Sequence, residues 1–157
     1  MTKNQAQSQP ATGKLPSWLP AANRVVAWLQ RRGVKTGTIH ILTVPGRVSG
    51  EPRTTPVSVL TVGGVRHVVG GIESADWVQN ARAIGWGHLA HGRNEEKVAL
   101  TELGVEERGP ILSAFPIEVP HGTQFFERVH GIKPTPDEFA SLADRCPVFR
   151  IEPLPER

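Results

Sequence analysis

From residue 17 to residue 32 the apolar side chains Trp18, Ala22, Val25 and Leu29 recur at i, i+4, i+7 and i+11, and Val26 widens the stripe. That period predicts an amphipathic helix, with Gly33 as its stop and Pro20 tolerated in the first turn, where a missing N–H costs no helical bond. Beyond Gly33 the pattern changes to that of strands. Runs rich in β-branched residues at 38–44 and 56–62 are separated by the turn-forming stretch 45–52, and a third run, 65–69, follows Gly63-Gly64. Two adjacent glycines supply the positive φ values of a two-residue hairpin turn. Ser74 is placed to cap a short helix through Ala83, after which strands 86–91 and 95–103 flank Gly92-Arg93-Asn94 as another hairpin. Residues 105–115 and 123–143 read as mainly helical, interrupted at Pro116, Pro120, Pro134 and Pro136, and 147–151 as a last strand. Hairpins outnumber crossovers, so the order predicts a mainly β (α+β) fold, an antiparallel barrel with covering helices rather than a doubly wound sheet.

The chain has 157 residues, enough for one ordinary domain and too few for two. Residues 1–16 are rich in Gln, Ser, Thr, Asn and Pro and are expected to form a flexible arm, leaving 17–157 as the single folded domain. The lone Cys146 excludes an intramolecular disulfide, and the first twenty residues contain no apolar core of a secretory signal, so a cytoplasmic location is expected. Apolar runs are far shorter than the roughly 20 residues needed to cross a bilayer. The net charge of +3 conceals an asymmetry: residues 1–50 carry seven bases and no acid, and the remainder eleven bases and fifteen acids. A positive field over the N-terminal third attracts anionic partners without choosing among them.

The most informative segment is Gly46-Arg47-Val48-Ser49-Gly50-Glu51-Pro52-Arg53-Thr54-Thr55-Pro56. Its glycines allow backbone N–H groups to turn toward an anion, Arg47 and Arg53 offer forked donors, and Ser49, Thr54 and Thr55 add neutral ones. A solvated hairpin loop explains the same composition. The segment has no Gly-Lys-Ser/Thr end of a phosphate-binding P-loop and no dinucleotide fingerprint. With Leu42-Thr43-Val44-Pro45 before it, this segment resembles the signature of the deazaflavin-dependent nitroreductase family, split β-barrel oxidoreductases that use coenzyme F420. Asp76-Trp77-Val78-Gln79-Asn80-Ala81-Arg82-Ala83 is similar to that family's Trp-x-x-Asn helix, and Pro147-Val148-Phe149-Arg150-Ile151 to its closing strand. The similarity covers roughly residues 35–152, and its first motif is the most specific.

The resemblance implies a split β-barrel like those that bind flavin mononucleotide, holding coenzyme F420 with flavin mononucleotide as second choice. By the same resemblance Arg47, Val48, Ser49 and Gly50, with Arg53, Thr54, Thr55 and Pro56, hold the phosphate and glutamate tail and one edge of the deazaflavin. Val69, Gly70, Gly71 and Ile72 lie along the ring, and Trp77 and Asn80 close the pocket. The implied activity is hydride transfer from the reduced coenzyme to an electron-poor small molecule bearing an activated C=C, quinone or nitro group. The alternative is a non-catalytic carrier of the deazaflavin or another anionic ligand on the same fold. Where relatives often carry Lys or Arg this chain has Val48, and where they carry Thr it has Pro45. It contains no tyrosine, so Phe125 or Phe126 stands where some relatives place one beside the substrate.

The residues themselves leave competing readings open. A Trp at a helix start, such as Trp77, is more often packing than a cofactor contact, and Asn80 can serve a ring carbonyl or a nearby backbone group. Among the six histidines (His40, His67, His88, His91, His121 and His130), His88 and His91 fall on opposite strand faces, so no metal site is expected. Glu95-Glu96 reads as a solvated strand start. Helix 17–32 has three readings: a core-covering helix, a membrane-surface contact, and, ranked last, a nucleic-acid contact.

Overall fold

The computed structural model describes residues 38–155. The predicted arm 1–16 and helix 17–32 lie outside them. The described chain runs β1 (Ile39–Pro45), β2 (Pro52–Val62), β3 (Val65–Val69), α1 (Asp76–Ile84), β4 (Trp86–His91), β5 (Asn94–Glu102), α2 (Val105–Glu118), a 3-10 turn (Pro120–Gly122), α3 (Thr123–His130), α4 (Pro136–Ala140) and β6 (Val148–Pro153). The strands close into an antiparallel barrel in the order β1-β2-β3-β6-β5-β4. Every described strand pairing is antiparallel, as the hairpin pattern predicted.

The hairpins follow the turn chemistry of their glycines. Gly63 and Gly64 sit at φ 60° and 79°, and Val62 pairs with Val65 across a two-residue turn. At the β4–β5 turn only Gly92 has positive φ (64°), and His91 pairs with Asn94. The turn is therefore Gly92-Arg93 alone, with Asn94 already in the strand, and its glycine leads as a type II′ turn requires.

Other boundaries depart from expectation for physical reasons. Strand β2 starts at Pro52, four residues before the predicted Pro56. Strand β1 pairs along it from Pro45↔Pro52 to Ile39↔Ser58, whereas β3 joins only from Val59 onward, so its first half is an edge where proline is tolerated. Ser74 does not cap α1; the cap position is Ala75, without a side-chain bond. Helix α2 continues through Pro110 and Pro116 to Glu118, because its side chains Leu112 and Phe115 are buried in the outer core. The predicted 123–143 helix is instead α3 and the short α4, parted where Gly131 adopts φ 67°.

Two cores result. Inside the barrel, Leu42, Val57, Val68, Leu89, Val98 and Phe149 meet, and α1 closes one end with Val78 and Ala81. Outside, Leu60, Val69 and Val148 pack against α2, α3 and α4 through Leu112, Phe126 and Phe139. Helix α1 is fastened to β5 by Arg82, whose Nε and Nη2 donate to the two Glu102 oxygens at 2.8 and 2.7 Å. That hydrogen bond holds the Glu102 carboxyl below the usual carboxylate range. Arg108, buried, donates to the Leu103 and Ala143 carbonyls and to Glu102, joining α2 to the same carboxylate.

His67 on β3 lies opposite Leu60, buried, with Nδ1 lacking a hydrogen-bond partner among the described residues. Burial pushes its imidazole below the ordinary range; the Val65 backbone opposes the shift without reaching bonding geometry. The unfolded chain therefore binds a proton more readily than the native state. Stability is full above the ordinary imidazole range and falls as pH drops through it toward the lowered native value. Melting temperatures taken between about pH 7.5 and about pH 5.5 are expected to decline, and His67→Asn to flatten that decline.

Candidate functional site

The turn joining β1 to β2 is built from the backbone outward. Gly46 N–H donates to the Glu51 carbonyl at 2.8 Å, Gly50 N–H to the Gly46 carbonyl at 2.9 Å, and Glu51 N–H to Ser49 Oγ at 3.1 Å. Gly50 takes φ 78°, which closes the turn at little steric cost only for glycine. Arg47 N–H is also committed. It donates to Asn80 Oδ1 at 3.0 Å, and Arg47 Nη1 donates to the same oxygen at 2.8 Å. Arg47 Nη2 lies 3.4 Å from the exposed Asp76 carboxylate at the start of α1.

Asn80, buried on α1, thus clamps the turn onto the helix that plugs the barrel. Its Oδ1 serves a backbone N–H of the turn. Among the described residues, Val48 and Ser49 N–H groups have no acceptor, and Val48 is 94% exposed.

The strand residues of the motif divide between two faces. Arg53 lies opposite Val44 and Thr55 opposite Leu42, both of which face the barrel interior, while Thr54 and Pro56 belong to the other face. Thr54 Oγ1 is 3.0 Å from Thr43 Oγ1, and Pro56 borders an open depression of about 250 Å³ with Ile39, Val57 and Ser58. Thr54 and Pro56 are therefore turned away from Arg53, a separation that follows from β2 starting early. Arg53 is half-buried with its Nε against Gly46, since a Cβ placed on Gly46 meets that nitrogen at 3.4 Å. No acceptor for its guanidinium lies within bonding reach among the described residues.

At the end of β3, Val69 is buried in the outer core and Ile72 is 41% exposed. The two glycines between them serve the chain's own packing rather than leaving an open floor. A Cβ on Gly70 meets Val78 Cγ2 at 2.7 Å, and one on Gly71 meets Phe125 Cε2 at 2.5 Å. Trp77 packs beside them, 5.8 Å between ring centroids from Phe149 and partly buried on the barrel core.

Nothing in the spacing of His130 and Cys146 signals the contacts around the Gly71 carbonyl. His130, the last residue of α3, places Nε2 2.8 Å from that oxygen, and Cys146 Sγ lies 3.5 Å from the same nitrogen. Burial pushes the Cys146 thiol up to about 11. It is neutral at physiological pH and not an activated nucleophile. No group of three His, Cys, Asp or Glu side chains at metal-binding spacing occurs among the described residues, and no described helix is long and apolar enough to cross a membrane.

No family model matches the chain, and no curated protein matches it. Solved structures do. One described as a domain-swapped dimer superposes with a TM-score of 0.53 at 23% identity, covering 85% of this chain and 95% of its own. An F420-H2-dependent reductase superposes at 0.52 with 23% identity, covering 74% of this chain and 95% of its own. An FMN-binding protein related to pyridoxamine 5′-phosphate oxidase, from Nostoc punctiforme, superposes at 0.53 with 13% identity over 89% of this chain and 82% of its own. These likenesses establish a shared split β-barrel fold, which the F420-H2-dependent reductase and the FMN-binding protein also adopt.

Proposed function

We propose that the protein binds reduced coenzyme F420 and passes its hydride to an electron-poor small molecule bearing an activated C=C, quinone or nitro group. The observation that carries this reading is the corner formed by Arg53 and the turn. Among the described residues, a half-buried guanidinium without an acceptor and two backbone N–H groups without one meet around Gly46, at the end of the barrel closed by α1. That donor set fits a phosphate or carboxylate tail. The ring end fits less openly, because Val78 and Phe125 fill the spaces over Gly70 and Gly71. Ile72 and Phe125, both partly exposed, are the apolar surfaces left to border a flat ring.

When bound, the reduced deazaflavin supplies a hydride, as a nicotinamide does. The chain's contribution is binding and orientation. Arg53 and the Val48 and Ser49 N–H groups hold negative charge, Asn80 fixes Arg47 beside them, and Trp77 braces the strand end. His130 is tied to the Gly71 carbonyl and Cys146 stays neutral, so on this reading the proton for the reduced product comes from solvent.

Arg53→Ala is expected to weaken deazaflavin binding by roughly tenfold to a hundredfold, the worth of one charge-assisted contact of about 1.5–3 kcal/mol, in an equilibrium titration. Unchanged affinity places the tail elsewhere. The activity itself is tested by anaerobic mixing of protein, reduced coenzyme and a panel of quinones, enones and nitroaromatics, following recovery of the oxidised coenzyme's absorbance. Acceptor-dependent oxidation supports the reading. Saturable binding without oxidation favours a carrier of the same ligand, and absence of binding discards both.

A further inference from the structure

The barrel end opposite α1 is closed by a polar layer. Strand register puts four ionisable side chains on the inward face there: His40 opposite Val57, Arg66 opposite Ile151, Glu96 opposite Leu89, and His91 two residues beyond Leu89. They form two contacts. Arg66 Nη1 donates to Glu96 Oε2 at 2.6 Å, reaching from β3 to β5 past β6, and the His40 and His91 rings stack with centroids 4.2 Å apart and planes 14° from parallel. Glu96 is thus not a merely solvated strand start. From β2 and β6 the layer receives only Thr61, Ile151 and Pro153, none of which titrates.

The location of the stack matters. Strands β1 and β4 meet through only Ile41↔Ala90, Leu42↔Leu89 and Thr43↔His88, the shortest ladder in the barrel and the one that joins its first strand to the β4–β5 hairpin. His40 and His91 lie one step past its last pair. We propose that the His40–His91 stack is a proton-released clasp on this seam, holding the barrel closed while both rings are neutral and loosening it when they charge.

The electrostatics support the geometry. Arg66 and Glu96 carry one charge of each sign, so with neutral imidazoles these four described side chains sum to zero, and each added proton leaves them with a net positive charge. His40 Nδ1 donates to the Thr38 carbonyl at 3.0 Å, so the ring is fixed in place and separation falls to His91 on the hairpin. Burial holds the His40 imidazole below the ordinary range, and the His91 and Arg66 charges press the same way against the Thr38 carbonyl and Glu96. Glu96 is kept below the usual carboxylate range by its Arg66 hydrogen bond.

The test is residue-resolved amide hydrogen exchange on the full chain between about pH 7.5 and about pH 5, corrected for the intrinsic pH dependence of exchange. Protection at Ile41, Thr43 and Ala90, whose amides point across the seam, is expected to fall by about fivefold on acidification, the order set by two like charges about 4 Å apart in water, while the β5–β6 ladder keeps its protection. His91→Phe preserves a stacked ring without the proton, and there the seam should no longer respond to pH. A seam indifferent to pH in the parent chain, a uniform loss across both ladders, or the same seam loss in His91→Phe overturns the clasp. The uniform outcome marks His67 and global destabilisation as the cause instead.

Discussion

Gly87→Ala is expected to lower the unfolding free energy by about 3–5 kcal/mol, which for a domain of this size moves the melting temperature down by about 10 °C. Gly87 lies on the inner face of β4 where the strand crosses closest to β1. A Cβ there meets the Thr43 carbonyl oxygen at 2.6 Å and Val44 Cγ2 at 3.0 Å. The first of these is backbone, inside the Thr43↔His88 pair, and cannot rotate away as a side-chain tip can. Relief requires β1 and β4 to separate, and their ladder has only three pairs to lose. Gly109 in α2 is the internal control. A Cβ there meets nothing within 4 Å and its φ is not positive, so Gly109→Ala should raise stability by about 0.5–1 kcal/mol through helix propensity. Denaturant unfolding of the two variants beside the parent decides the matter. If Gly87→Ala melts with the parent, the close approach of the two strands is not what the barrel depends on.

Gly87 also marks the limit of what the sequence made legible. The strands, their antiparallel pairing and the two tight turns follow from period-2 patterning and from glycines at fixed offsets, which are local properties. Closure is not local. That β1 meets β4 across a three-pair seam depends on residues more than forty positions apart, and neither strand's composition distinguishes an edge from a seam. The same blindness explains the misplaced start of β2. Pro52 read as a turn residue, whereas an unpaired first half on the β3 side let it join the strand. Helix α2 carries two prolines that argue for breaks, and burial of Leu112 and Phe115 outweighed them.

At the candidate site the residue types were legible and their partners were not. Arg47 and Arg53 look equivalent in the sequence, yet one is spent on Asn80 and Asp76 and the other faces no described acceptor. The resemblance lays Gly70 and Gly71 along a ring, and in the structure their missing side chains make room for Val78 and Phe125. Spacing carries no trace of the Cys146–His130 contact, because the two meet at the Gly71 carbonyl, at the end of another strand. In each case the sequence supplies a functional group, and tertiary structure decides whether it remains available.

Asn80→Leu is the substitution that separates the turn's architecture from its charge. The variant keeps Arg47, Arg53 and every glycine, has a side chain of similar volume, and removes the one oxygen that accepts from both Arg47 N–H and Arg47 Nη1. Losing one neutral and one charge-assisted hydrogen bond at a buried position costs about 2–4 kcal/mol of stability. Part of that loss is local: the turn is released from α1, and its amides should exchange faster while the barrel ladders keep their protection. On the proposed function, anionic-ligand affinity then falls with the turn, by about a hundredfold at most if Arg47 loses its place entirely. Asn80→Asp keeps an acceptor for both donors, so it should preserve the turn's protection, while its added negative charge weakens an anionic ligand. Affinity and turn protection therefore fall together in Asn80→Leu and part company in Asn80→Asp. If Asn80→Leu leaves turn exchange and stability at the parent's values, Asn80 does not hold the turn, and Arg47 must be positioned by Asp76 alone.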